Sequence, residues 1–203
     1  MHKSILLAFA LLFSTSVIAQ KADYYFEQGN KSLNEQNNRD AIEYYLQAID
    51  LDNTNWTYYY NCGMAYYYLS DYKKSLNCFD IAYNLAPNNM EILSNRGNMK
   101  DAVGDYQGAL DDFEKVLDKQ GASWELYNSI GIVYDNLKDY ENALKYFTLS
   151  IKEKTDQSAA YDNRAMVHRK MGNTEACCQD LKLAIKYTEY GQRAQIHFNQ
   201  YCN

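Results

Sequence analysis

The sequence repeats itself with a period of 34 residues, and this period constrains the fold more than any other feature of the chain. One position of the repeat holds small residues: Gly29, Gly63, Gly97, Gly131 and Ala165. Large side chains stand four residues before them, at Tyr25, Tyr59, Leu93, Tyr127 and Tyr161. A second large set follows at Tyr45, Phe79, Phe113, Phe147 and Leu181. Large and small residues at spacings of three and four are typical of a packed helix face, so each unit is predicted to contain two packed helices.

A polar position marks the junction between the two helices of each unit. It is occupied by Asn37, Asp71, Asp105, Asp139 and Asn173. These side chains can accept hydrogen bonds from the free backbone N–H groups of a first helical turn, so the position predicts N-caps. The chain has one Pro and 9 Gly, too few for a turn-rich β-sandwich. We therefore expect an all-α fold in which a helix-turn-helix unit occurs five times.

This pattern closely resembles the tetratricopeptide repeat (TPR). The resemblance implies a right-handed superhelical solenoid of five TPR units, with the bounds 22–55, 56–89, 90–123, 124–157 and 158–191. Residues 192–203 are predicted to form a C-terminal capping helix, because the last repeat has no neighbour to cover its apolar face. The sequence departs from the family pattern where Tyr or Leu replaces the usual Trp, and the closing Pro survives only as Pro87.

The first 19 residues have the pattern of a signal peptide. A basic head ends at Lys3, an apolar run extends from Ile5 to Phe13, and short side chains then lead to Ala19. The apolar run is shorter than the roughly 20 residues that span a bilayer. We expect cleavage after Ala19 and export to the periplasm or the exterior, with no membrane span in the mature chain. The alternative is an N-terminal helix that is retained and packs.

Side chains suited to catalysis or metal binding do not form a recognisable motif. His168 and His197 stand alone, and no Gly-rich phosphate loop occurs. A metal site built from Cys177, Cys178, Cys202 and His197 would lack the paired C-x2-C spacing of zinc sites. We expect no enzymatic activity and no cofactor. A net charge of -6 argues against nucleic acid as a partner, because its phosphates require a basic surface.

The resemblance implies a scaffold or adaptor that binds an extended peptide in a concave groove lined by the first helices. The candidate peptide-binding residues are Tyr60, Asn61, Met64, Tyr67, Asn95, Asn98, Asn128, Ile132, Asn163 and Met166. Three of them, Asn61, Asn95 and Asn163, share one position of the repeat, where an amide can pair with a peptide backbone. Repeats 1 to 4 offer acids on the inner face, at Asp23, Glu91 and Glu125, and the third to fifth repeats add Asp101, Asp135 and Asp162. We therefore expect a neutral or basic segment as the ligand.

Two other interpretations stay open. In one, the groove residues are ordinary tolerated surface residues. In the other, the protein is a structural or oligomeric component of the cell envelope that assembles through its repeat surfaces, since tyrosine suits such interfaces. The tyrosines expected to point away from the groove are Tyr24, Tyr44, Tyr58 and Tyr146.

Export places the five cysteines where disulfides form. The second helix of the last repeat and the capping helix are expected to run antiparallel about a turn near Tyr190, which places Cys178 opposite Cys202. A similar pair recurs at the ends of the exported bacterial TPR proteins that this C-terminus resembles. Cys177 lies among the small residues of the second helices and is expected to be a buried free thiol.

Comparison of the repeats suggests a second disulfide, between Cys62 and Cys78. The same two positions, 16 residues apart, hold Gln28 and Tyr44, Arg96 and Asp112, Ile130 and Tyr146, and Arg164 and Asp180. Complementary pairs indicate that the two positions touch across the helix pair. A disulfide forms there if the backbones are close enough, and two unlinked core thiols are the alternative.

Overall fold

The computed structural model describes residues 2–188 and 192–202, with side chains from residue 17 onward, and over these residues the fold is all-α. The chain divides into two units, 1–103 and 104–203. The first unit contains α1 (His2–Asn34), α2 (Asn38–Leu51), α3 (Trp56–Tyr68), α4 (Tyr72–Leu85) and α5 (Met90–Ala102). The second contains α6 (Tyr106–Gln120), α7 (Trp124–Asn136), α8 (Tyr140–Glu153), α9 (Ser158–Lys170), α10 (Thr174–Lys186) and α11 (Gln192–Tyr201).

Helix pairs pack around the small residue of the first helix. A Cβ atom at Gly131 would lie 2.7 Å from the ring of Phe147, and one at Gly63 would lie 3.2 Å from the ring of Phe79. The absence of a side chain lets the facing ring fill this space, and both rings are almost completely buried. The alternation of small and large residues therefore forms the core, as the period predicts.

The turns between paired helices use N-caps and a left-handed residue. Four N-cap side chains accept a hydrogen bond from the backbone N–H three residues later: Asp71, Asp105, Asp139 and Asn173. Asn37 occupies the same position without a side-chain cap bond. The residue before each N-cap has a positive φ, at Gln36, Ser70, Gly104, Lys138 and Gly172. The turn thus keeps one backbone geometry even where no glycine is present.

Helix α1 is continuous through the expected cleavage site at Ala19. Val17 and Ile18 are exposed, and burial begins at Ala22. The side chains of the apolar run 5–13 lie outside the described residues, as do Tyr190 and Gly191 of the expected last turn. Among the helices described, none is long and apolar enough to cross a membrane.

Helix α11 continues the repeat pattern. Its Ala194 is buried in a cluster with Leu181 and Ala184 of α10. The residues at the same position of the second to fifth repeats are also buried, at Tyr58, Ile92, Leu126 and Ala160, whereas Tyr24 of the first repeat is exposed. The expectation that Tyr58 points outward is therefore wrong, because it packs against Ala22 and Ala48 and its hydroxyl donates to Asp23 Oδ1 at 2.9 Å.

Candidate functional site

A groove of about 380 Å³ opens between α3, α4 and α5 of the first unit, and we call it the α3–α5 groove. Four candidate residues line it: Met64, Tyr67, Asn95 and Asn98. The rest of its described lining is Tyr72, Phe79, Met99, Asp101 and Ala102. Its walls are therefore mainly aromatic rings and methionines, with two amides and one carboxylate among them.

Tyr60 supports this groove without lining it. Its hydroxyl donates to Glu91 Oε1 at 2.6 Å and accepts from Asn95 Nδ2 at 3.1 Å. Burial, together with the hydrogen bond to Glu91, raises the pKa of Tyr60, so the hydroxyl stays protonated near neutral pH. These bonds orient Asn95 at the groove while leaving its amide a second N–H and an oxygen for other partners.

Asn61 belongs to a separate polar cluster between α1, α2 and α3. Its amide donates to Asn30 Oδ1 at 2.8 Å, and that oxygen also accepts from the Tyr45 hydroxyl at 2.9 Å. Tyr45 is fully buried, and burial raises its pKa. Asn61 is not in the described lining of the α3–α5 groove. It ties α3 to α1.

The second unit has a groove of about 760 Å³ between α7, α9 and α11, which we call the α11 groove. Three candidate residues line it: Ile132, Asn163 and Met166. The capping helix supplies three more that the sequence analysis missed: Arg193, His197 and Tyr201. The 34-residue period was a signal for His197, which lies one period after Asn163. The rest of the described lining is Asp135, Phe147, Arg169 and Lys170.

Asn128 pairs with Asn163 rather than lining the groove. The Asn163 amide donates to Asn128 Oδ1 at 3.1 Å, and its oxygen accepts from Arg193 Nη2 at 3.0 Å. The bond from Asn95 to Tyr60 joins the same two positions of the repeat, again 35 residues apart. The asparagines at this position therefore link one first helix to the next, a role that the sequence analysis did not foresee.

The α11 groove is not acidic, which corrects the expectation from Asp135 and Asp162. Lys170 Nζ lies 2.7 Å from Asp135 Oδ2. The buried Asp162 carboxylate meets Arg193 Nε at 2.6 Å and His197 Nδ1 at 2.8 Å. Because cations from α9 and α11 pair with both acids, neither leaves an uncompensated negative charge in the groove.

The contact expected between positions 16 residues apart is confirmed at Arg164 and Asp180. Arg164 donates from Nε to Asp180 Oδ2 at 2.8 Å and from Nη2 to Oδ1 at 2.7 Å. His168 Nε2 lies 3.9 Å from the same carboxylate. Burial lowers the pKa of His168 and outweighs the attraction of Asp180. This histidine is therefore a largely buried neutral group at pH 7.

Cys178 and Cys202 form a disulfide with a Cα–Cα distance of 5.7 Å. This is the pairing expected from antiparallel helices. Cys62 and Cys78 are both buried free thiols, so the suggested second disulfide is absent and the alternative of two unlinked core thiols holds. They do interact, and the hydrogen bond to Cys78 together with burial raises the pKa of Cys62. The two positions therefore touch, as the other repeats suggest. Contacts between longer side chains at these positions, such as Arg with Asp, do not require the backbones to be as close as a disulfide does.

Cys177 is a buried free thiol, as expected. Burial raises its pKa, which keeps it protonated and unreactive near neutral pH. The bond between Cys178 and Cys202 removes both from any metal site. Within the described part of the chain, no group of three or more His, Cys, Asp or Glu side chains is arranged to hold a metal ion.

Family models described as tetratricopeptide repeat match residues 56–89, and also residues 22–55, 125–157 and 158–189. The matches cover about two thirds of the chain, which therefore belongs to the TPR family. No curated protein sequence matches it significantly.

Solved TPR structures share the fold at low sequence identity. MamA (residues 41 to the end) from Desulfovibrio magneticus RS-1 is 18% identical, with a TM-score of 0.75 over 85% of this chain and 97% of that chain. YrrB, described as a TPR protein with an unusual peptide-binding site, is 19% identical, with a TM-score of 0.66 over 87% and 90%. PilF of Pseudomonas aeruginosa is 15% identical, with a TM-score of 0.72 over 91% and 84%.

Proposed function

We propose that this protein is a non-enzymatic scaffold that binds an extended peptide segment of a partner protein in grooves beside its first helices. The observation that carries this proposal is the position of seven of the ten candidate residues in the lining of two grooves. Apolar walls with a few placed amides suit an extended segment, because its side chains gain burial while its backbone gains hydrogen bonds. The peptide-binding site in the description of YrrB is consistent with this use of the fold.

The charge of the segment is proposed for each groove separately. The α3–α5 groove has Asp101 and no cationic side chain in its described lining, which supports a neutral or basic ligand there. The α11 groove supports no such preference, because its acids are paired with Lys170, Arg193 and His197.

The proposed site of action is outside the cytoplasm, after cleavage behind Ala19. The apolar run of the leader supports this location, as does the start of burial at Ala22, which leaves the segment around the cleavage site exposed. Expression of the full chain in a bacterium, followed by fractionation and N-terminal sequencing, tests it. A mature protein beginning at Gln20 in the periplasm or medium is expected, and an uncleaved cytoplasmic chain would contradict export.

An array of random short peptides probed with the mature protein tests the binding function. Tyr67 lines the α3–α5 groove and is 43% exposed, whereas Tyr24 is 56% exposed and lies outside it. Tyr67→Ala should abolish binding to a subset of peptides, and the matched variant Tyr24→Ala should not. Equal effects of the two variants would reject the groove. A stable oligomer in light scattering that binds no peptide would favour the structural role instead.

A further inference from the structure

The α3–α5 groove has a lining chemistry unlike that of an ordinary apolar pocket. Tyr67 and Tyr72 lie side by side, with ring centroids 6.3 Å apart and planes inclined by 43°. The nearly buried Phe79 and Met99 form its floor, and Met64 completes the apolar wall. The groove therefore combines aromatic faces and polarisable thioethers in a space of about 380 Å³.

The described lining of this groove carries only negative charge. Asp101 is the only charged side chain in the described lining, and it also interacts with another group. The faces of the tyrosine rings carry negative electrostatic potential, which attracts a cation placed over them. A cation entering the groove would therefore meet the rings of Tyr67 and Tyr72 and no like charge from the described lining.

The shape of the lining also suits a long side chain with a charged end. Methionines adapt to an alkyl stem, and Phe79 offers that stem a flat apolar surface. Asn95 and Asn98 stand at the same groove, where their amides can hold the backbone that carries the side chain. The lining thus provides separate surfaces for the backbone, the stem and the charge.

We infer that the α3–α5 groove is a pocket for a lysine-type cationic side chain of the bound segment. The inference rests on the proposed peptide-binding function, because a side chain is delivered by a peptide. Tyr67 and Tyr72 contact the ammonium group, while Met64, Met99 and Phe79 contact the alkyl stem. An uncharged side chain of the same length lacks the attraction to the rings and binds more weakly.

The test follows the methyl groups of the methionines by NMR in mature protein labelled with 13C at the methionine methyl. The probes are Nα-acetyl-lysine methylamide, its norleucine counterpart, which has the same stem without the ammonium group, and the glutamate counterpart. The lysine probe should shift the Met64 and Met99 signals, with the norleucine probe binding at least about threefold more weakly. Met166 lines the α11 groove and serves as the internal control.

Variants separate the aromatic contribution from simple burial. Tyr67→Leu should weaken the lysine probe about threefold and leave the norleucine probe nearly unchanged, whereas Tyr67→Phe keeps the ring and the preference. Tyr24→Leu, outside the groove, is the matched control. Equal binding of the lysine and norleucine probes, or no shift at Met64 and Met99, would overturn the inference. Because these probes are single amino acids, that result is distinct from failure of the peptide array, which tests the broader function.

Discussion

Removal of the disulfide between Cys178 and Cys202 is expected to loosen one wall of the α11 groove. The bond closes a loop between residues 24 positions apart in sequence and fastens the end of α11 to α10. In the chain-entropy model, a loop of this length stabilises the folded state by about 3 kcal/mol. The variant Cys178→Ala with Cys202→Ala should lose that amount without leaving a reactive thiol at either position.

The loss should be concentrated at the C-terminus, because each repeat of a solenoid contacts only its neighbours. Without the disulfide, α11 retains the ion pair of Arg193 with Asp162, the hydrogen bond between His197 and Asp162, and the burial of Ala194. It therefore opens more often rather than being lost entirely. Hydrogen exchange of the α11 amides should accelerate about a hundredfold, while the amides of α3 and α4 should exchange at their former rates.

Hydrogen exchange with mass spectrometry, run with and without dithiothreitol, measures both effects. Reduction should accelerate exchange in the unmodified protein and leave the Cys178→Ala, Cys202→Ala variant unchanged. A second variant, Cys62→Ala with Cys78→Ala, should still respond to reduction, because those thiols are free. If reduction leaves α11 exchange unaltered in the unmodified protein, the disulfide does not hold this wall and the reasoning fails.

Three further predictions concern packing and pH. Asp180→Ala should lower the free energy of unfolding by about 3 kcal/mol, because it leaves the Arg164 guanidinium without its buried carboxylate. Denaturation of the two single variants and of the double variant with Arg164→Ala measures the coupling between the two residues. If the effects of the two substitutions simply add, the residues are not coupled and the prediction fails. Gly131→Ala should lower the free energy of unfolding by about 2 kcal/mol because the new methyl group meets the facing Phe147 ring, whereas Gly172→Ala should lower it by about 1 kcal/mol through its positive φ alone. In urea denaturation, replacing the facing ring by a smaller side chain should restore stability only to the Gly131 variant. The pKa of His168 in the folded protein lies below its ordinary 6.5. The unfolded chain therefore takes up this proton at a higher pH than the folded chain, and stability falls as the pH drops below about 6.5. In His168→Gln the urea midpoint should depend less on pH across that range, and an unchanged dependence would assign it to other groups.

Much of the fold was predictable because each repeat samples the same local geometry. The small residues, the facing rings and the N-caps repeat in sequence as they repeat in space, so one position supports the interpretation of the others. The left-handed backbone conformation at the turn between paired helices was harder to predict from the sequence. Glycine marks it at Gly104 and Gly172, whereas Gln36, Ser70 and Lys138 adopt positive φ with no sequence signal, because the surrounding helix pair imposes the turn on whatever residue stands there.

The candidate sites were predictable only in part because position on a helix face does not determine polar partners. Asn61 stands at the same repeat position as Asn95 and Asn163, yet it bonds to Asn30 and does not line the α3–α5 groove. Asp162 was expected to lie on the inner face, but α11 places Arg193 and His197 against its carboxylate. In both cases the deciding partner comes from a different helix, and only the packed structure reveals it.

The hydrogen bond between Asp162 and His197 explains how one helix can both cap the last repeat and form a wall of the α11 groove. It spans the same 35 residues as the bonds from Asn95 to Tyr60 and from Asn163 to Asn128. Helix α11 is therefore held in the register of a sixth first helix, although no second helix follows it among the described residues. In this register the cap covers apolar residues of α10 and also places His197 and Tyr201 at the groove. The disulfide at Cys202, one residue beyond Tyr201, secures that register at the point where the helix ends.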